Sequence, residues 1–355
     1  MAGTLYSAAK MWRYPDRLAA LRTGELAAPV HVRIKPTNVC NHSCWFCAYR
    51  KDGLSLGADM VERDRIPREK MAEIVDDLIA MGVEAVTFSG GGEPLIYPYF
   101  VETVERLAAA GLKTGVLTNG SRLKGKVADT LARRATWLRV SIDGWDGPSY
   151  ARYRSVPEDA FAQVIGNLAA FAARATACEV GASVIVDRDN AAHLSELIRT
   201  LEGAGVRHVK VSPCIVSNDG GKNRAYHAPF AATVRAEIAR ARAAAGSRIA
   251  IVDHYHTDGA DFTKLYRRCA FLQFLTVIGA DGTVYTCQDK AYTAPGALGS
   301  LKDRRFREFW FSAENRDRLQ RLDPAHDCRH HCVADAKNRA LDDYLSLDPD
   351  HAAFV

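Results

Sequence analysis

The sequence predicts an α/β protein: a partial (β/α)6 TIM-like barrel, followed by a smaller cysteine-rich α+β domain. Two observations predict this fold class. First, six short β-rich runs alternate with helical stretches over residues 30–215, at about thirty residues per unit, as in parallel crossover units. Second, the chain of 355 residues contains nine cysteines, and four of them follow residue 268 in a region of different pattern.

The repeating part of the chain is too short for a closed barrel. Eight crossover units typically need about 250 residues, so six units predict an open sheet. The β-rich runs begin at residues 31, 84, 113, 137, 180 and 208, and the helical segments lie near 67–81, 98–110, 124–134, 158–176, 190–204 and 229–245. Because the carboxyl ends of parallel strands meet at one edge, we expect the functional residues there.

The pattern of the sequence changes after residue 250. The run 279-GADGTV is typical of a β-hairpin, and cysteines become frequent. We therefore expect an N-terminal extension over 1–29, the barrel over 30–250, the cysteine-rich domain over 251–340 and a tail over 341–355.

Composition and charge exclude several classes of function. A net charge of +5 spread over this length is too dilute for nucleic-acid or anionic-membrane binding. The chain has no signal-peptide pattern and no apolar run long enough to cross a membrane, so we expect a cytoplasmic protein with reduced thiols. Nine cysteines cannot all pair, and a chain of this size needs no disulfides, so metal ligands or nucleophiles are expected.

The first cysteine group lies directly after the first predicted strand. The run 40-CNHSCWFC places Cys40, Cys44 and Cys47 within eight residues. Three thiolates on a [4Fe–4S] cluster leave one iron open to bind a further ligand. A structural zinc loop is the alternative, with His42 as the fourth ligand.

The second predicted strand ends in a glycine-rich turn, 89-SGGGEP. Glycines allow the backbone to approach a ligand closely, and the Glu93 carboxylate can accept hydrogen bonds from a ligand ammonium group. The third and fourth strands end at Asn119 and at Ser141 and Asp143. Turn capping is the alternative role for these three polar residues.

The CX3CX2C spacing, with an aromatic residue before the last cysteine and the GGE run one unit later, resembles the radical S-adenosylmethionine (SAM) superfamily. The resemblance implies that the three cysteines bind a [4Fe–4S] cluster whose open iron binds SAM. It further implies a set of SAM-contacting residues. These are Phe46 at the adenine, Gly91, Gly92 and Glu93 at the amino group, Asn119, Ser141 and Asp143 near the carboxylate and ribose, and Val184 near the adenine.

The later cysteines form a second group, with Cys269 and Cys287 separated by seventeen residues and Cys328 and Cys332 in 328-CRHHC. Four thiolates suit either zinc or an iron–sulfur cluster. The surrounding segments resemble the SPASM and shorter twitch domains of radical SAM enzymes, which implies one auxiliary [4Fe–4S] cluster held by these four residues. The closing CX3C differs from the usual CX2C, so an open iron, or ligation by His330 or His331, is an alternative.

Two cysteines remain, Cys178 and Cys214. Cys178 begins the fifth strand, at the end away from the expected site, and a buried thiol is its expected state. Cys214 follows the sixth strand at its carboxyl end. It is therefore a candidate hydrogen-atom donor, with a small core residue as the alternative.

The resemblance implies an enzyme that uses an external electron donor of the flavodoxin or ferredoxin type to cleave SAM to a 5′-deoxyadenosyl radical. Only 39 residues precede Cys40, so we expect no leader-peptide-binding domain. We therefore expect a small polar substrate of sugar, aminocyclitol or nucleoside type in natural-product biosynthesis, oxidised or epimerised. The alternatives are sulfur insertion, modification of a ribosomal peptide, or a non-enzymatic electron carrier or zinc scaffold.

Overall fold

The computed structural model describes residues 6–174, 177–244, 248–256, 262–348, 350–351 and 354. The first residues of the expected N-terminal extension, the last residues of the helices expected near 158–176 and 229–245, residues 257–261 of the expected cysteine-rich domain and parts of the expected tail lie outside the described residues.

All six expected strands form, and they lie side by side in chain order. Each neighbouring pair in this series is parallel. The six strands are β1 (His31–Ile34), β2 (Ala85–Phe88), β3 (Lys113–Thr118), β4 (Ala135–Ser141), β5 (Glu179–Val186) and β6 (His208–Pro213). The prediction of a partial barrel of parallel strands is therefore confirmed.

One helix precedes β1, one or two helices occupy each connection between the six strands, and further helices follow β6. They are α1 (Pro15–Thr23), α2 (Arg68–Ala80), α3 (Phe100–Ala109), α4 (Gly125–Arg134), α5 (Gly147–Arg154), α6 (Asp159–Ala172), α7 (Leu194–Gly203), α8 (Gly220–His227), α9 (Ala231–Ala243), α10 (Phe306–Trp310), α11 (Ala313–Arg321), α12 (Pro324–Asp327) and α13 (Asp335–Leu345). The sequence did not indicate α5, which is only two turns long. It begins at a capping box in which the Asp146 carboxylate accepts the N–H of Ser149 at 2.8 Å.

The sheet continues beyond the six expected strands at both edges. A seventh parallel strand, β7 (Ala250–Asp253), pairs with β6. At the other edge β8 (Leu275–Ile278) lies parallel to β1, and β9 (Thr283–Tyr285) and β10 (Ala297–Ser300) follow as antiparallel neighbours. The expected hairpin therefore belongs to the same ten-stranded sheet, which places the C-terminal cysteines beside β1.

The two faces of the sheet differ in chemistry. The side chains of Val32 and Ile34 on β1 lie in the main hydrophobic core, as do those of the matching residues on β2 to β6. Because strand side chains alternate, the intervening residues point to the opposite, concave face, which we call the lumen. No helix in the described part of the chain is long and apolar enough to cross a membrane.

Candidate active site

The first three cysteines lie on the loop that follows β1. Their thiols are half-buried and form no disulfide, and a turn joins Cys47 N–H to the Cys44 carbonyl at 3.1 Å. The N–H of Ser43 donates to the carbonyl of Arg154 at 3.0 Å, which fixes the loop against the end of α5. Burial raises the pKa of Cys44 to about 11, and the nearby charge of Arg154 opposes this rise.

Arg154 is a residue of the site that sequence reasoning missed. Its guanidinium forms a buried ion pair with Asp143, and its charge centre lies 5.5 Å from the centroid of the Phe46 ring. Burial raises the pKa of Asp143, and the charge of Arg154 opposes the shift. The only sequence signal is a basic residue in the last turn of a helix too short to be recognised.

The glycine turn after β2 packs against the segment that leads to Cys40. The N–H groups of Gly92 and Glu93 donate to the carbonyls of Thr37 and Val39 at 3.1 and 2.9 Å. A Cβ atom on Gly92 would lie 2.0 Å from the Val39 carbonyl oxygen, so no other residue fits there. The cysteine loop and the glycine turn therefore form one packed unit.

The Glu93 carboxylate connects this unit to β3. Its Oε1 accepts hydrogen bonds from Thr118 Oγ1 at 2.6 Å and from the Leu95 N–H at 3.0 Å, and its Oε2 accepts from the Asn119 N–H at 2.7 Å. Burial raises the pKa of Glu93, and these three hydrogen bonds oppose the rise. Each carboxylate oxygen has two acceptor positions, so Oε2 can accept one more donor.

Asn119 and Ser141 lie at the carboxyl ends of β3 and β4, as expected. The Asn119 amide donates to Asn41 Oδ1 at 3.0 Å, which links β3 to the cysteine loop. Ser141 Oγ lies 3.4 Å from Ser183 Oγ on the lumen face. The structure thus gathers the expected polar residues of β2, β3 and β4 at one edge of the sheet.

The side chain of Val184 does not face the lumen, and the position of this residue near the adenine stays a prediction. Val184 is fully buried in the hydrophobic core, on the face of β5 opposite Ser183. Because side chains alternate along a strand, only its half-buried neighbours Ser183 and Ile185 face the lumen. The alternation of side chains along β5 was visible in the sequence, but it did not show which of the two alternating sets faces the lumen.

Lys35 and Tyr49 were also missed, and they join three loops at the carboxyl end of β1. Lys35 is 1% exposed, and its Nζ donates to Tyr49 Oη at 2.6 Å and to the Gly90 carbonyl at 3.2 Å. Tyr49 Oη in turn donates to the Gln288 carbonyl at 3.3 Å. Burial and the charge of Arg33 lower the pKa of Lys35 to about 7. The first cysteine loop, the glycine turn and the residue after Cys287 are therefore in hydrogen-bond contact.

The four C-terminal cysteines lie close to one another. Burial raises the pKa of Cys269, and the charges of Cys332 and Cys328 raise it further; Cys269 and Cys328 act in the same way on Cys287. The side-chain amide of Asn338 donates a hydrogen bond to Cys269 Sγ at 3.3 Å. Two of these cysteines lie on the segments that flank the β8–β9 hairpin and two on the segment that follows α12, near enough for their charges to affect one another.

Two buried lysines approach this second cysteine group. Lys264 Nζ donates to the His330 carbonyl, and Lys290 Nζ donates to the Asp327 carbonyl, each at 3.3 Å. Both charges oppose the rise that burial causes in the pKa of Cys328. Among the described residues, no three thiol, imidazole or carboxylate groups are placed to hold a single metal ion.

The two remaining cysteines lie at opposite ends of their strands. Cys178 is buried immediately before β5, at the amino end. Cys214 is 1% exposed immediately after β6, where its carbonyl accepts a hydrogen bond from His227 Nε2 at 2.8 Å. Burial raises the pKa of Cys214 to about 12, so it is a thiol at neutral pH.

The residues beside the first cysteine group fit a bound ligand that carries an ammonium group. Asn38 Oδ1 and Ser89 Oγ are buried without a hydrogen-bond partner among the described residues. A Cβ atom on Gly91 would lie 2.3 Å from Asn38 Oδ1, so this Asn38 oxygen lies close to the backbone of the glycine turn. Buried acceptors without donors are costly, and a ligand ammonium would satisfy them.

Comparisons with known proteins agree with this geometry. The model of the radical SAM superfamily matches residues 34–201, and that of SPASM, an iron–sulfur cluster-binding domain, matches residues 269–333. Together the two matches span well over half of the chain. These domains bind a [4Fe–4S] cluster with SAM and an auxiliary iron–sulfur cluster, which confirms the cofactor expectation.

Several curated proteins are similar to parts of the chain. An S-adenosylmethionine-dependent nucleotide dehydratase of Lacinutrix mariniflava is 31% identical over 30% of this chain and 22% of its own length. The pre-heme d1 synthase of Dinoroseobacter shibae is 28% identical over 60% and 51%, and the mycofactocin maturase MftC of Mycobacterium tuberculosis is 29% identical over 53% and 46%. The chain thus spans about half or less of these relatives' lengths.

Solved structures share the fold at low sequence identity. SuiB of Streptococcus suis, bound to its precursor peptide SuiA, has a TM-score of 0.62 at 14% identity and covers 87% of this chain and 71% of its own. Native anSMEcpe with bound AdoMet has a TM-score of 0.59 at 15% identity and covers 90% of this chain and 97% of its own. With both domains matched by their family models, the chain belongs to the radical SAM superfamily and carries a C-terminal SPASM domain.

Proposed function

We propose that Cys40, Cys44 and Cys47 hold the SAM-binding [4Fe–4S] cluster, and that the auxiliary cluster is held by Cys269, Cys287, Cys328 and Cys332. The supporting observation is the hydrogen-bonded path from Gly90 through Lys35 and Tyr49 to Gln288, which ties both cysteine groups to the same end of the sheet. When bound, the first cluster and SAM supply a 5′-deoxyadenosyl radical that abstracts a hydrogen atom from substrate.

The polar edge of β2 to β4 binds SAM in this proposal. Glu93 Oε2 and the backbone of Gly91 and Gly92 accept the ammonium of its methionine part. Asn119, Ser141 and Asp143 lie near the carboxylate and ribose, where the ion pair with Arg154 opposes the rise that burial causes in the pKa of Asp143. Phe46 faces the adenine, and Ile185 replaces Val184 as the apolar lumen contact on β5.

We propose that the substrate radical is oxidised, with the auxiliary cluster as the electron acceptor. The buried Lys290 supports this role, because its charge acts on Cys328 and positive charge near a cluster favours its reduced state. Lys264 also acts on Cys328, and Asp335 lies 3.9 Å from its Nζ. Epimerisation is the second candidate outcome, and the buried, protonated Cys214 at the carboxyl end of β6 favours it. In that case the thiol returns a hydrogen atom to the substrate.

The proposed substrate is a small polar molecule, in a reaction of natural-product biosynthesis. The nucleotide dehydratase and GTP 3′,8-cyclase among the similar proteins act on nucleotides by name, which supports this class. A peptide substrate is the second candidate, favoured by the shared fold with SuiB and its precursor peptide. The electron donor is a flavodoxin or ferredoxin type protein in either case.

Anaerobic reconstitution tests the proposal. We expect about eight irons and eight sulfides per chain and reductive cleavage of SAM to 5′-deoxyadenosine on addition of a strong reductant. With a panel of deuterated sugars, nucleosides and peptides, the true substrate transfers deuterium into 5′-deoxyadenosine. Binding of zinc without sulfide, or no cleavage of SAM by protein with full iron content, would contradict the proposal.

A further inference from the structure

We propose that the ammonium group of Lys35 is a positive charge shared by the two clusters, and that it raises the reduction potential of each. The inference rests on the proposed function, because both cysteine groups must hold their clusters. It goes further by assigning the ease with which the clusters accept electrons to one side chain. Lys35 is a positioning residue in this role, since it acts through its charge and without contact to the reacting atoms.

Lys35 lies where the two cysteine-bearing loops meet. Its Nζ donates to Tyr49 Oη at 2.6 Å and lies 4.3 Å from the centroid of the Tyr49 ring. Tyr49 follows Cys47 by two residues in the first loop. Its Oη donates to the carbonyl of Gln288, the residue after Cys287, at 3.3 Å. One phenol group therefore connects the ammonium both to the first cysteine loop and to the backbone beside an auxiliary-cluster cysteine.

The two loops also contact each other without the help of Lys35. The N–H of Gly57 donates to the carbonyl of Ala291 at 3.3 Å, and the N–H of Asp59 donates to the carbonyl of Tyr292 at 2.9 Å. The rings of Tyr49 and Tyr292 pack edge to face, with their centroids 6.0 Å apart. Because these contacts hold the loops together, a substitution of Lys35 can remove its charge without separating them.

Lys35 is a buried cation whose hydrogen-bond partners are all neutral. Its Nζ donates only to the Tyr49 hydroxyl and to the Gly90 carbonyl, the latter at 3.2 Å. Its side chain is buried, and no carboxylate in the described part of the chain lies within ion-pair distance of it. Burial of an ammonium without an anion is costly, and a negatively charged cluster on either side lowers that cost.

Loading of the clusters favours the charged form of Lys35. Burial, followed by the charge of Arg33, lowers the pKa of Lys35, whereas the charge of Asp289 opposes this fall. The charges of Cys47 and Cys287 oppose it as well. Cluster-bound cysteines are thiolates, so this negative charge is present at neutral pH. An ammonium that the clusters stabilise in turn stabilises each added electron, which raises their reduction potentials.

Redox titration of the reconstituted protein, followed by electron paramagnetic resonance, tests this inference. We expect Lys35→Met, which keeps the length and removes the charge, to weaken reduction of both clusters at least about tenfold, a shift of about 59 mV for one electron. Addition of SAM identifies the signal of the first cluster, because only that cluster binds SAM in the proposed function. Lys113→Met, which removes an exposed charge at the amino end of β3, is the matched control and should leave both potentials unchanged.

Tyr49→Phe separates the effect of the charge from that of the hydrogen bonds. It removes the hydroxyl that contacts Lys35 and Gln288 but keeps the ammonium, so we expect a smaller shift than in Lys35→Met. An equal shift in the two variants would assign the potentials to the hydrogen bonds and would overturn the inference.

Lys35→Gln guards against misfolding, because its amide can still donate to the Gly90 carbonyl. Wild-type potentials in both Lys35 variants, a shift of one potential alone, or loss of iron from both variants would each overturn the inference. These outcomes leave the proposed function standing when the wild type holds about eight irons and cleaves SAM. A wild type that lacks one cluster or fails to cleave SAM would instead remove the proposed function.

Discussion

Glu93 Oε2 accepts the backbone N–H of Asn119 at 2.7 Å, which joins the glycine turn after β2 to the carboxyl end of β3. A carboxylate that fixes two loops in this way determines where the backbone of Gly91 and Gly92 lies. The same oxygen keeps one acceptor position for a ligand. Glu93 therefore combines a structural and a binding role.

Replacement of Glu93 by Gln tests both its structural role and its binding role. Glu93→Gln turns an acceptor into an N–H₂ group that faces the N–H of Asn119 or the hydroxyl of Thr118. We expect SAM binding, measured by calorimetry on the reconstituted protein, to weaken at least about tenfold, and the free energy of unfolding to fall by about 1–3 kcal/mol. Glu102→Gln, an exposed carboxylate paired with Arg68, is the control and should change neither quantity. Wild-type SAM affinity in Glu93→Gln would disprove the binding role.

The buried ion pair of Arg154 and Asp143 predicts a large effect of a single charge deletion. Arg154→Ala leaves Asp143 buried and unpaired, so we expect a loss of about 3–5 kcal/mol in the free energy of unfolding. The exposed Arg152, one half-turn earlier in α5, is the matched control, and Arg152→Ala should change stability by less than about 0.5 kcal/mol. Chemical denaturation compares the two variants. Equal stability would show that Asp143 does not depend on Arg154.

The sequence predicted the parts of this protein that follow from short-range patterns. The alternation of strands and helices placed all six expected strands, and the cysteine spacing with the GGE run identified the family. Arg154, Lys35 and Tyr49 were missed because their importance arises from contacts between distant segments, such as the 2.6 Å bond from Lys35 to Tyr49. Strand β7 and the position of β8 beside β1 were missed for the same reason, because edge pairing has no local signal.

The auxiliary cluster predicts a specific loss when one of its proposed ligands is removed. Cys287→Ala should retain about four of about eight irons per chain and should still cleave SAM, but without forming product. Cys178→Ala, which removes a thiol at the opposite end of the sheet, is the matched control and should retain all iron and full turnover. Iron analysis and product detection on the two variants decide the matter. Normal turnover by Cys287→Ala would remove the auxiliary cluster from the mechanism.

Cys214 predicts how the reaction ends. If the thiol donates a hydrogen atom, deuterium from D₂O enters the product of the wild-type enzyme because thiol protons exchange with solvent. Cys214→Ala should then consume substrate without this labelled product, while 5′-deoxyadenosine still forms. Mass spectrometry of the product measures the label. Unchanged labelled product from the variant would assign the hydrogen return to a different donor, and a wild-type product without label would assign the outcome to oxidation.

His31 predicts how stability depends on pH. Burial, followed by the charge of Arg33, lowers the pKa of His31 to about 3, and its Nε2 lies 2.8 Å from Thr87 Oγ1. The unfolded chain binds the proton with the ordinary pKa of about 6.5, so acid favours unfolding. The contribution of His31 to the free energy of unfolding is therefore complete above pH 6.5 and is lost as the pH falls towards 3. Between pH 7.5 and 5.5 the proton uptake of His31 on unfolding should lower the free energy of unfolding by about 1 kcal/mol.

His31→Asn keeps a hydrogen-bonding partner for Thr87 and removes the titration. We expect its free energy of unfolding to fall by about 1 kcal/mol less than that of the wild type over the same pH range. His326→Asn is the matched control, because the His326 side chain is 84% exposed, and it should follow the wild-type pH dependence. Denaturant titrations at pH 7.5, 6.5 and 5.5 measure the three slopes. If the free energy of unfolding changes equally with pH in His31→Asn and the wild type, His31 takes up its proton equally in the folded and unfolded protein. In that case it is not buried as a neutral group in the lumen.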